Sequence, residues 1–181
     1  RVDRNITSLN DMKGKVFGFG DPNSTSGYLI PSIEIPPQIG ATMESGDYFG
    51  EVKFTGGHEQ TIVAVFNGDI DAGVTWSDAQ GDWEDGYNSG ALRKAADAGL
   101  VEMNELVEIW RSGVIPEAPV VVRKSMPDDA KAAIVELWDN LYETDQECAY
   151  NVGAGESLGW DPIDHSVYES VVEARRIKSG G

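Results

Sequence analysis

Three consecutive hydroxyl side chains, Ser24, Thr25 and Ser26, form a segment whose residue types could bind an anion. This hydroxyl segment follows the short apolar run Lys15–Phe17 and precedes an apolar stretch that starts at Tyr28. The order predicts a buried strand, a turn and the first turn of a helix. The first N–H groups of a helix have no intrahelical acceptor, and the positive end of the helix dipole lies beside them. The hydroxyl segment therefore predicts an anion site, although a single hydroxyl that caps a helix explains it equally well.

A second strand-to-helix junction repeats this arrangement further along the chain. The alternating run Val52–Thr55 predicts a strand, and it leads through Gly56-Gly57 into His58, the start of a helix that we expect to end at Gly68. A third strand, predicted over Ala72–Trp76, is followed by Ser77 and Asp78. Strands that alternate with helices indicate a parallel sheet, in which ligands bind beyond the carboxyl ends of the strands. We therefore expect the hydroxyl segment, His58 and Asp78 to meet at one edge of the sheet.

The remaining elements follow from hydrophobic periodicity and from the positions of glycine and proline. The predicted elements are a helix over Tyr28–Ile35 that Pro36 and Pro37 stop, an exposed loop over Asp82–Gly90, a helix over Ala91–Gly99, strands over Leu106–Trp110 and Val120–Arg123, and helices over Asp128–Tyr142 and Ser166–Lys178. After Pro127 the pattern supplies helices but no strand, so we expect these helices to pack on something other than a sheet of their own.

Composition excludes several classes of function. The chain has 181 residues and a formal net charge of −17, which argues against nucleic acid and anionic membrane as partners. No apolar run is long enough to span a membrane, and the first residues do not form a signal peptide. Cys148 is the only cysteine, and His58 and His165 are the only histidines, so we expect no disulfide within the chain, no metal site and no cofactor. Salt screens the negative charge over about 8 Å, which lets local donors bind an anion.

An ordered set of motifs runs through nearly the whole chain: Gly20–Gly27, Gly57-His58 before a helix, Phe66–Ala72, and Ile109–Ser112 followed by Ile115-Pro116. This set closely resembles the periplasmic binding proteins of phosphate, phosphite and phosphonate ABC transporters. The resemblance implies an α/β fold of the type II periplasmic-binding-protein kind, in which a parallel-rich sheet is flanked by helices. Members of this family clamp a ligand between two lobes and normally run longer than this chain.

The resemblance also implies a division of the chain into two parts. Residues 1–118 correspond to the second ligand-binding lobe with its hinge strands. Residues 119–181 correspond to the return segment and the C-terminal helices of the first, companion lobe, whose remainder is absent. We therefore expect the chain to be an N-terminally truncated fragment of a two-lobed protein.

The family pattern assigns roles to six positions of this sequence. Ser24, Thr25, Ser26 and His58 correspond to the residues that grip the phosphonate oxygens. The set is completed by Asp78 and Glu117, which correspond to acidic residues that hold an amino group of the ligand. The implied function is that of the solute-binding component of an ABC importer, which captures a small phosphorus oxyanion in the periplasm and delivers it to the membrane permease, without catalysis.

Two alternatives stay open at the level of the sequence. A binding protein for another small anion, such as sulfate or a carboxylate, would share every feature described above. A hydrolase could use Ser24 or Ser26 with His58 and Asp78, which are the residue types of a catalytic triad. However, the hydroxyl segment is not a nucleophile elbow, and the phosphate-binding loop of nucleotide hydrolases is absent.

Overall fold

A computed structural model describes residues 1–153 and 159–180 of the chain. Its centre is a parallel sheet formed by Val16–Phe19 (β1), Glu51–Phe54 (β2) and Ala72–Gly73 (β3), in the spatial order β2-β1-β3. The carboxyl ends of these strands therefore meet at one edge, as the alternation of strands and helices predicts. β3 is shorter than the predicted strand over Ala72–Trp76, because its pairing with β1 ends at Gly73.

Helices connect and cover the strands. The α-helices are Pro31–Ile39 (α1), His58–Asn67 (α2), Ala91–Asp97 (α3), Asp128–Thr144 (α4), Gln146–Gly153 (α5) and Glu169–Lys178 (α6), and a π-helix over Thr25–Leu29 precedes α1. Short 3-10 turns occupy Val2–Arg4, Leu9–Met12, Trp83–Asp85, Met103–Glu105 and His165–Tyr168. The helix predicted to start at His58 and end at Gly68 and the helices predicted over residues 91–99, 128–142 and 166–178 are confirmed apart from their exact ends.

Two apolar clusters make up the core of the sheet region. Phe17 and Phe19 of β1 pack with Ile35 of α1 in the first cluster. Ile62 of α2 packs with Ala95 of α3 in the second. α2 packs closely against β3. A Cβ atom at Gly73 would come within 2.4 Å of the Thr61 methyl group. A glycine is therefore required where α2 crosses the strand.

The prediction that Pro36 and Pro37 stop the first helix is wrong. α1 continues through both prolines and ends at Ile39, where Gly40 adopts the left-handed conformation of a helix cap. Each proline removes one backbone donor, but its fixed φ is compatible with a helix. Only about one further turn follows the prolines, so few helical hydrogen bonds are lost.

The predicted strands over Leu106–Trp110 and Val120–Arg123 are absent from the described residues. A strand needs a neighbour that completes its hydrogen-bond ladder, and the three-stranded sheet offers none to either segment. The composition of both segments favours extended backbone, and Leu106 does have extended angles. These segments therefore have the composition of strands but lack a partner strand with which to form backbone hydrogen bonds.

The predicted exposed loop over Asp82–Gly90 is partly wrong, because Tyr87 is only 6% exposed. Its hydroxyl donates a 2.6 Å hydrogen bond to Glu108 and accepts one of 2.7 Å from Arg111. Burial and the Glu108 carboxylate raise the pKa of Tyr87 to about 12. The hydrogen bonds of Tyr87 tie this loop to the segment that follows Leu106.

The C-terminal helices differ in how they pack. In the described structure no side chain of α4 is buried, and its neighbour is α5. α6 packs differently, because Ala174 lies against Leu29 and Ile30 at the end of the π-helix. None of the described helices combines the length and apolar character needed to cross a bilayer. The assignment of these helices to a companion lobe stays a prediction.

Candidate anion-binding site

The hydroxyl segment opens the π-helix at the carboxyl end of β1. Ser24 is the N-cap, and its hydroxyl oxygen accepts a 2.9 Å hydrogen bond from the Gly27 N–H. The N–H groups of Thr25 and Ser26 start the helix, so they have no acceptor within it. Leu29 and Ile30 donate to the carbonyls of Ser24 and Thr25 at 3.0 Å, the wide spacing of a π-helix. Such turns are frequent at functional sites.

His58 begins α2 at the carboxyl end of β2 and is surrounded by hydroxyl groups. Its Nε2 lies 3.5 Å from the hydroxyl oxygens of both Ser24 and Ser26. Its Nδ1 lies 3.3 Å from the hydroxyl of Thr75, just beyond β3. Burial lowers the pKa of His58, which favours the neutral ring. Residues beyond the ends of all three strands thus meet at one imidazole. The sequence predicts the meeting of the hydroxyl segment with His58, but it names Asp78 rather than Thr75 as the contribution of the third strand.

Backbone contacts fix the distance between the two helix starts. The Thr55 N–H and hydroxyl both donate to the Phe19 carbonyl, at 2.8 and 2.9 Å. The Gly56 N–H donates to the Gly20 carbonyl at 3.0 Å. A Cβ atom at Gly27 would lie 3.2 Å from the His58 ring, so the π-helix approaches α2 closely. The geometry of the donors is therefore set by the sheet.

The arrangement supplies neutral hydrogen-bond donors and two helix N-termini. In the described structure the nitrogens of the His58 ring lie within hydrogen-bonding distance of three uncharged hydroxyls. Thr25, Ser26 and His58 line a common cavity, whereas Ser24 does not line it and serves as the cap. Donors of this kind suit a small oxyanion, because helix starts and hydroxyl groups stabilise negative charge by direct hydrogen bonds.

Asp78 and Glu117 line the same cavity as Ser26 and His58. The Asp78 carboxylate accepts a 3.2 Å hydrogen bond from the Gln80 N–H, and the Asp78 N–H donates to the Ser89 carbonyl. Partial desolvation raises the pKa of Glu117, and the negative charge of Asp78 adds to this effect. The structure therefore brings the two acidic residues near each other, although the sequence separates them widely.

The cavity is larger than a small anion needs. Its volume is about 910 Å³, near the upper end of the range for small-molecule pockets. Ser26 and His58 line it together with apolar residues such as Phe17 and Ile62. The oxyanion donors thus occupy only part of the cavity wall.

The geometry does not complete a serine-hydrolase triad. In a triad a carboxylate accepts from Nδ1 of the histidine and orients it. Here the partner of His58 Nδ1 is the Thr75 hydroxyl, and the Ser24 hydroxyl oxygen already accepts from Gly27. Sequence reasoning missed Thr75, although its place at the carboxyl end of a predicted strand is a signal that could have identified it.

Comparison with known proteins places this geometry in a family. Residues 1–168 match the family described as the periplasmic substrate-binding protein of phosphonate ABC transporters. The chain is 31% identical over 179 residues to the phosphonates-binding periplasmic protein of Escherichia coli, covering 97% of this chain and 47% of that protein. It is 32% identical over 116 residues to the phosphate-import protein PhnD of Mycolicibacterium smegmatis, covering 61% of this chain and 32% of that protein. The chain thus spans less than half the length of these curated relatives.

A solved structure shows the same fold. The crystal structure of a binding-protein component of an ABC phosphonate transporter from Pseudomonas aeruginosa matches with a TM-score of 0.71 and 22% identity, covering 98% of this chain and 55% of that one. The parallel sheet flanked by helices agrees with the type II periplasmic-binding-protein fold expected from the sequence. The chain belongs to the family of periplasmic substrate-binding proteins of phosphonate ABC transporters.

Proposed function

We propose that this chain forms the oxyanion-binding part of the solute-binding component of an ABC importer. The protein captures a phosphonate, phosphite or phosphate in the periplasm and delivers it to the membrane permease, without catalysis. The observation that carries the proposal is the convergence of Ser26 and His58, which start two separate helices and approach to 3.5 Å. Thr25 and the backbone N–H groups at both helix starts complete the set of donors. Ser24 caps the first of these two helices, the π-helix.

Hydrogen bonds to neutral donors supply enough free energy for a useful affinity. A hydrogen bond to a charged group contributes about 1.5–3 kcal/mol, and each exposed helix dipole adds roughly 0.3–1 kcal/mol. A micromolar dissociation constant requires about 8 kcal/mol. Four or five such contacts reach this value after the costs of ordering the ligand are included.

The acidic pair supports a phosphorus oxyanion over sulfate. Asp78 and Glu117 present carboxylates to the cavity that holds the donors. A carboxylate accepts a hydrogen bond from a protonated ligand oxygen or from an ammonium group, and it repels a ligand that carries neither. Sulfate carries neither group. We propose that the pair selects a phosphonate that carries an amino group, or a protonated phosphorus oxyanion.

The two-lobed capture of the ligand is part of the same proposal. Residues 1–118 provide one lobe with its hinge, and residues 119–181 return to the companion lobe. The names of the Escherichia coli and Mycolicibacterium smegmatis relatives support phosphonate or phosphate as the ligand.

Titration calorimetry with methylphosphonate, phosphite, phosphate, sulfate and acetate tests the proposed ligand class. We expect saturable heat with at least one of the three phosphorus oxyanions and weaker binding of sulfate and acetate. Tighter binding of sulfate or acetate would favour the alternative of another small anion. Absence of heat with all three phosphorus oxyanions would contradict the proposal.

An esterase assay tests the absence of catalysis. We expect no turnover of p-nitrophenyl acetate or p-nitrophenyl phosphate above the background rate. Turnover that His58→Ala abolishes would favour the hydrolase alternative instead.

A further inference from the structure

The loop over residues 78–89, which we call the acidic loop, begins with Asp78 and closes back on itself. The Asp78 N–H donates to the Ser89 carbonyl at 3.1 Å. Just outside the loop, Ser77 and Gly90 form an antiparallel bridge. The two ends of the acidic loop are thus held side by side. The position of Asp78 therefore depends on the backbone at the far end of this loop.

Tyr87 lies near that far end in a backbone conformation that surrounding contacts must hold. Its φ is 70°, in the left-handed region that residues other than glycine rarely adopt. Its N–H donates to the Asp82 carbonyl at 3.0 Å, and the Asn88 N–H donates to the Gln80 carbonyl at 2.8 Å. Tyr87 is thus a fixed point of the acidic loop.

The side chain of Tyr87 joins the acidic loop to a separate segment. Its hydroxyl donates to Glu108 at 2.6 Å and accepts from Arg111 at 2.7 Å. The Arg111 guanidinium lies 5.4 Å from the centre of the Tyr87 ring. It also donates to both oxygens of the Glu108 carboxylate, at 2.9 and 3.0 Å. Each of these three residues contacts the other two, and we call them the tyrosine clasp.

The tyrosine clasp also pairs one of the acidic residues of the cavity. Four acidic residues line the cavity, namely Asp71, Asp78, Glu108 and Glu117. Asp71 pairs with Arg4, and Glu108 pairs with Arg111. Within residues 1–153 and 159–180, Asp78 and Glu117 take part in no ion pair. The clasp thus offsets the charge of Glu108 and leaves Asp78 and Glu117 to face a cationic group of a ligand.

Glu117 is held by contacts that do not involve the acidic loop. The Tyr168 hydroxyl donates to the Glu117 carbonyl at 2.8 Å. The Gly113 N–H, four residues earlier in the chain, donates to Glu34 at 3.2 Å. Loosening the tyrosine clasp should therefore move Asp78 relative to Glu117 and leave Glu117 in place.

We propose that Tyr87 is a positioning residue that, with Glu108 and Arg111, sets the distance between Asp78 and Glu117 and thereby the preference for a phosphonate that carries an ammonium group. The inference rests on the proposed function, because the selected ligand is a phosphonate. Tyr87 does not line the cavity, so it acts through Asp78. An ammonium group between two carboxylates loses attraction when they separate, whereas the oxyanion is bound by other residues.

Titration calorimetry with aminomethylphosphonate and methylphosphonate tests this proposal, because the two compounds differ by one ammonium group. In Tyr87→Phe the affinity ratio of the amino compound to methylphosphonate should fall about threefold or more, since the hydrogen bonds of the hydroxyl are lost. The affinity for methylphosphonate should change less than about twofold. An unchanged ratio, or an equal loss for both compounds, would overturn the proposal.

Tyr48→Phe is the matched control. The Tyr48 hydroxyl also donates to the carbonyl of a distant residue, Leu9, at 3.1 Å, and Tyr48 does not line the cavity. This substitution should leave the ratio of the two affinities unchanged. A fall equal to that in Tyr87→Phe would show that the loss of any such hydroxyl alters the ratio, and the proposal would be wrong.

Glu108→Asp is a second variant, which decides if Tyr87→Phe does not fold. It keeps the negative charge but withdraws the acceptor from the Tyr87 hydroxyl by one methylene group. The affinity ratio should fall in the same direction as in Tyr87→Phe. A ratio equal to that of the parent chain would count against the tyrosine clasp.

The titration of the Glu117 carboxyl group, followed by its ¹³C shift, provides a readout without ligand. Desolvation and the charge of Asp78 raise the pKa of Glu117. In Tyr87→Phe this pKa should fall towards its ordinary value, because Asp78 moves away. If neither compound binds the parent chain, the proposed function fails and this titration decides: a lower pKa supports the clasp, and an unchanged pKa overturns it. A parent chain that binds both compounds equally would overturn the inference and leave oxyanion binding intact.

Discussion

At the scale of residues, the candidate site combines hydroxyl groups with a histidine whose ring is held neutral. His58 is partly buried among Ser24, Ser26 and Thr75, and its pKa is lowered by that burial. An incoming anion would favour the protonated ring, so binding should be accompanied by proton uptake. Binding of the ligand should therefore add positive charge to the site.

Ser26→Ala should weaken the binding of the phosphorus oxyanion by about tenfold or more, because a hydrogen bond to a charged ligand contributes about 1.5–3 kcal/mol. Titration calorimetry measures the change. Ser32→Ala is the matched control, since the Ser32 hydroxyl donates to the Leu29 carbonyl and does not line the cavity. Equal affinities of the parent and Ser26→Ala would place the oxyanion elsewhere.

Glu117→Gln should have opposite effects on stability and on binding. The raised pKa of Glu117 means that the folded chain holds this proton more tightly than the unfolded chain. Its contribution to stability is present below the ordinary pKa of a glutamate and is lost as the pH rises through the raised pKa. Glu117→Gln should therefore stabilise the free chain near pH 7 by only a few tenths of a kcal/mol, because the residue is largely exposed.

Denaturant unfolding at about pH 4 and about pH 7 measures the effect of Glu117→Gln on stability. The gain should disappear at the lower pH, and the affinity for a phosphonate that carries an amino group should fall. Glu136→Gln, on the exposed surface of α4, serves as the control. A gain at pH 4 that equals the gain at pH 7 would contradict the raised pKa of Glu117 that desolvation and the charge of Asp78 produce.

The sequence was sufficient to identify the residues that begin helices at strand ends, because capping and dipole rules are local. Ser26 and His58 were predicted on this basis and lie together in the structure. Thr75 was not predicted, because it lay inside the predicted strand over Ala72–Trp76 and its position near the carboxyl end of that strand was the only signal that marked it. The proximity of Asp78 and Glu117 depends on a long connection whose path local rules do not determine.

At the scale of elements, the site depends on the close approach of the π-helix to α2. Gly27 permits this approach, since a Cβ atom there would lie 2.9 Å from the Ser24 hydroxyl oxygen and 3.2 Å from the His58 ring. The Ser24 hydroxyl is the helix cap, and the His58 ring is one of the proposed hydrogen-bond donors. The separation of the two helix starts is therefore sensitive to a single methyl group.

Gly27→Ala should weaken oxyanion binding by about tenfold and destabilise the fold by about 1 kcal/mol, because the new methyl group displaces the Ser24 cap. Gly20→Ala is the matched control in the same loop, where a Cβ atom would make ordinary contacts of 3.6 Å and longer. Calorimetry and denaturant unfolding measure the two effects. Unchanged affinity in Gly27→Ala would show that the spacing of the two helices does not limit binding.

Predictions for elements succeeded where local rules and tertiary pairing agree. β1, β2 and α2 were predicted because their periodicity and glycine boundaries are clear. The strand over Leu106–Trp110 was predicted from composition alone, and the described residues provide no ladder for it. The π-helix was not predicted, because its wide hydrogen-bond spacing leaves no simple mark in the sequence.

At the scale of the whole molecule, a net charge of −17 opposes the approach of an anion. The donors act at contact distance, whereas the repulsion acts over the Debye length. We therefore expect the local geometry of the donors to set the affinity for the anion. We expect the surface charge to affect the association rate.

The association rate of methylphosphonate should increase by about two- to fivefold as the ionic strength rises from about 10 to 150 mM, because salt screens the repulsion. Stopped-flow fluorescence reports the rate, since Trp76 lines the cavity. Sodium gluconate in place of sodium chloride controls for competition by chloride. A rate that falls with salt in both media would indicate a positively charged entrance instead.

The most direct test of the account is an NMR titration of the ¹⁵N-labelled chain with methylphosphonate. The central claim is that the two helix starts bind one oxyanion together. We predict saturable shifts that are largest for the amides of Thr25, Ser26, His58 and Glu59, all with the same dissociation constant. Shifts confined to other surfaces, or different dissociation constants at the two helix starts, would contradict the account.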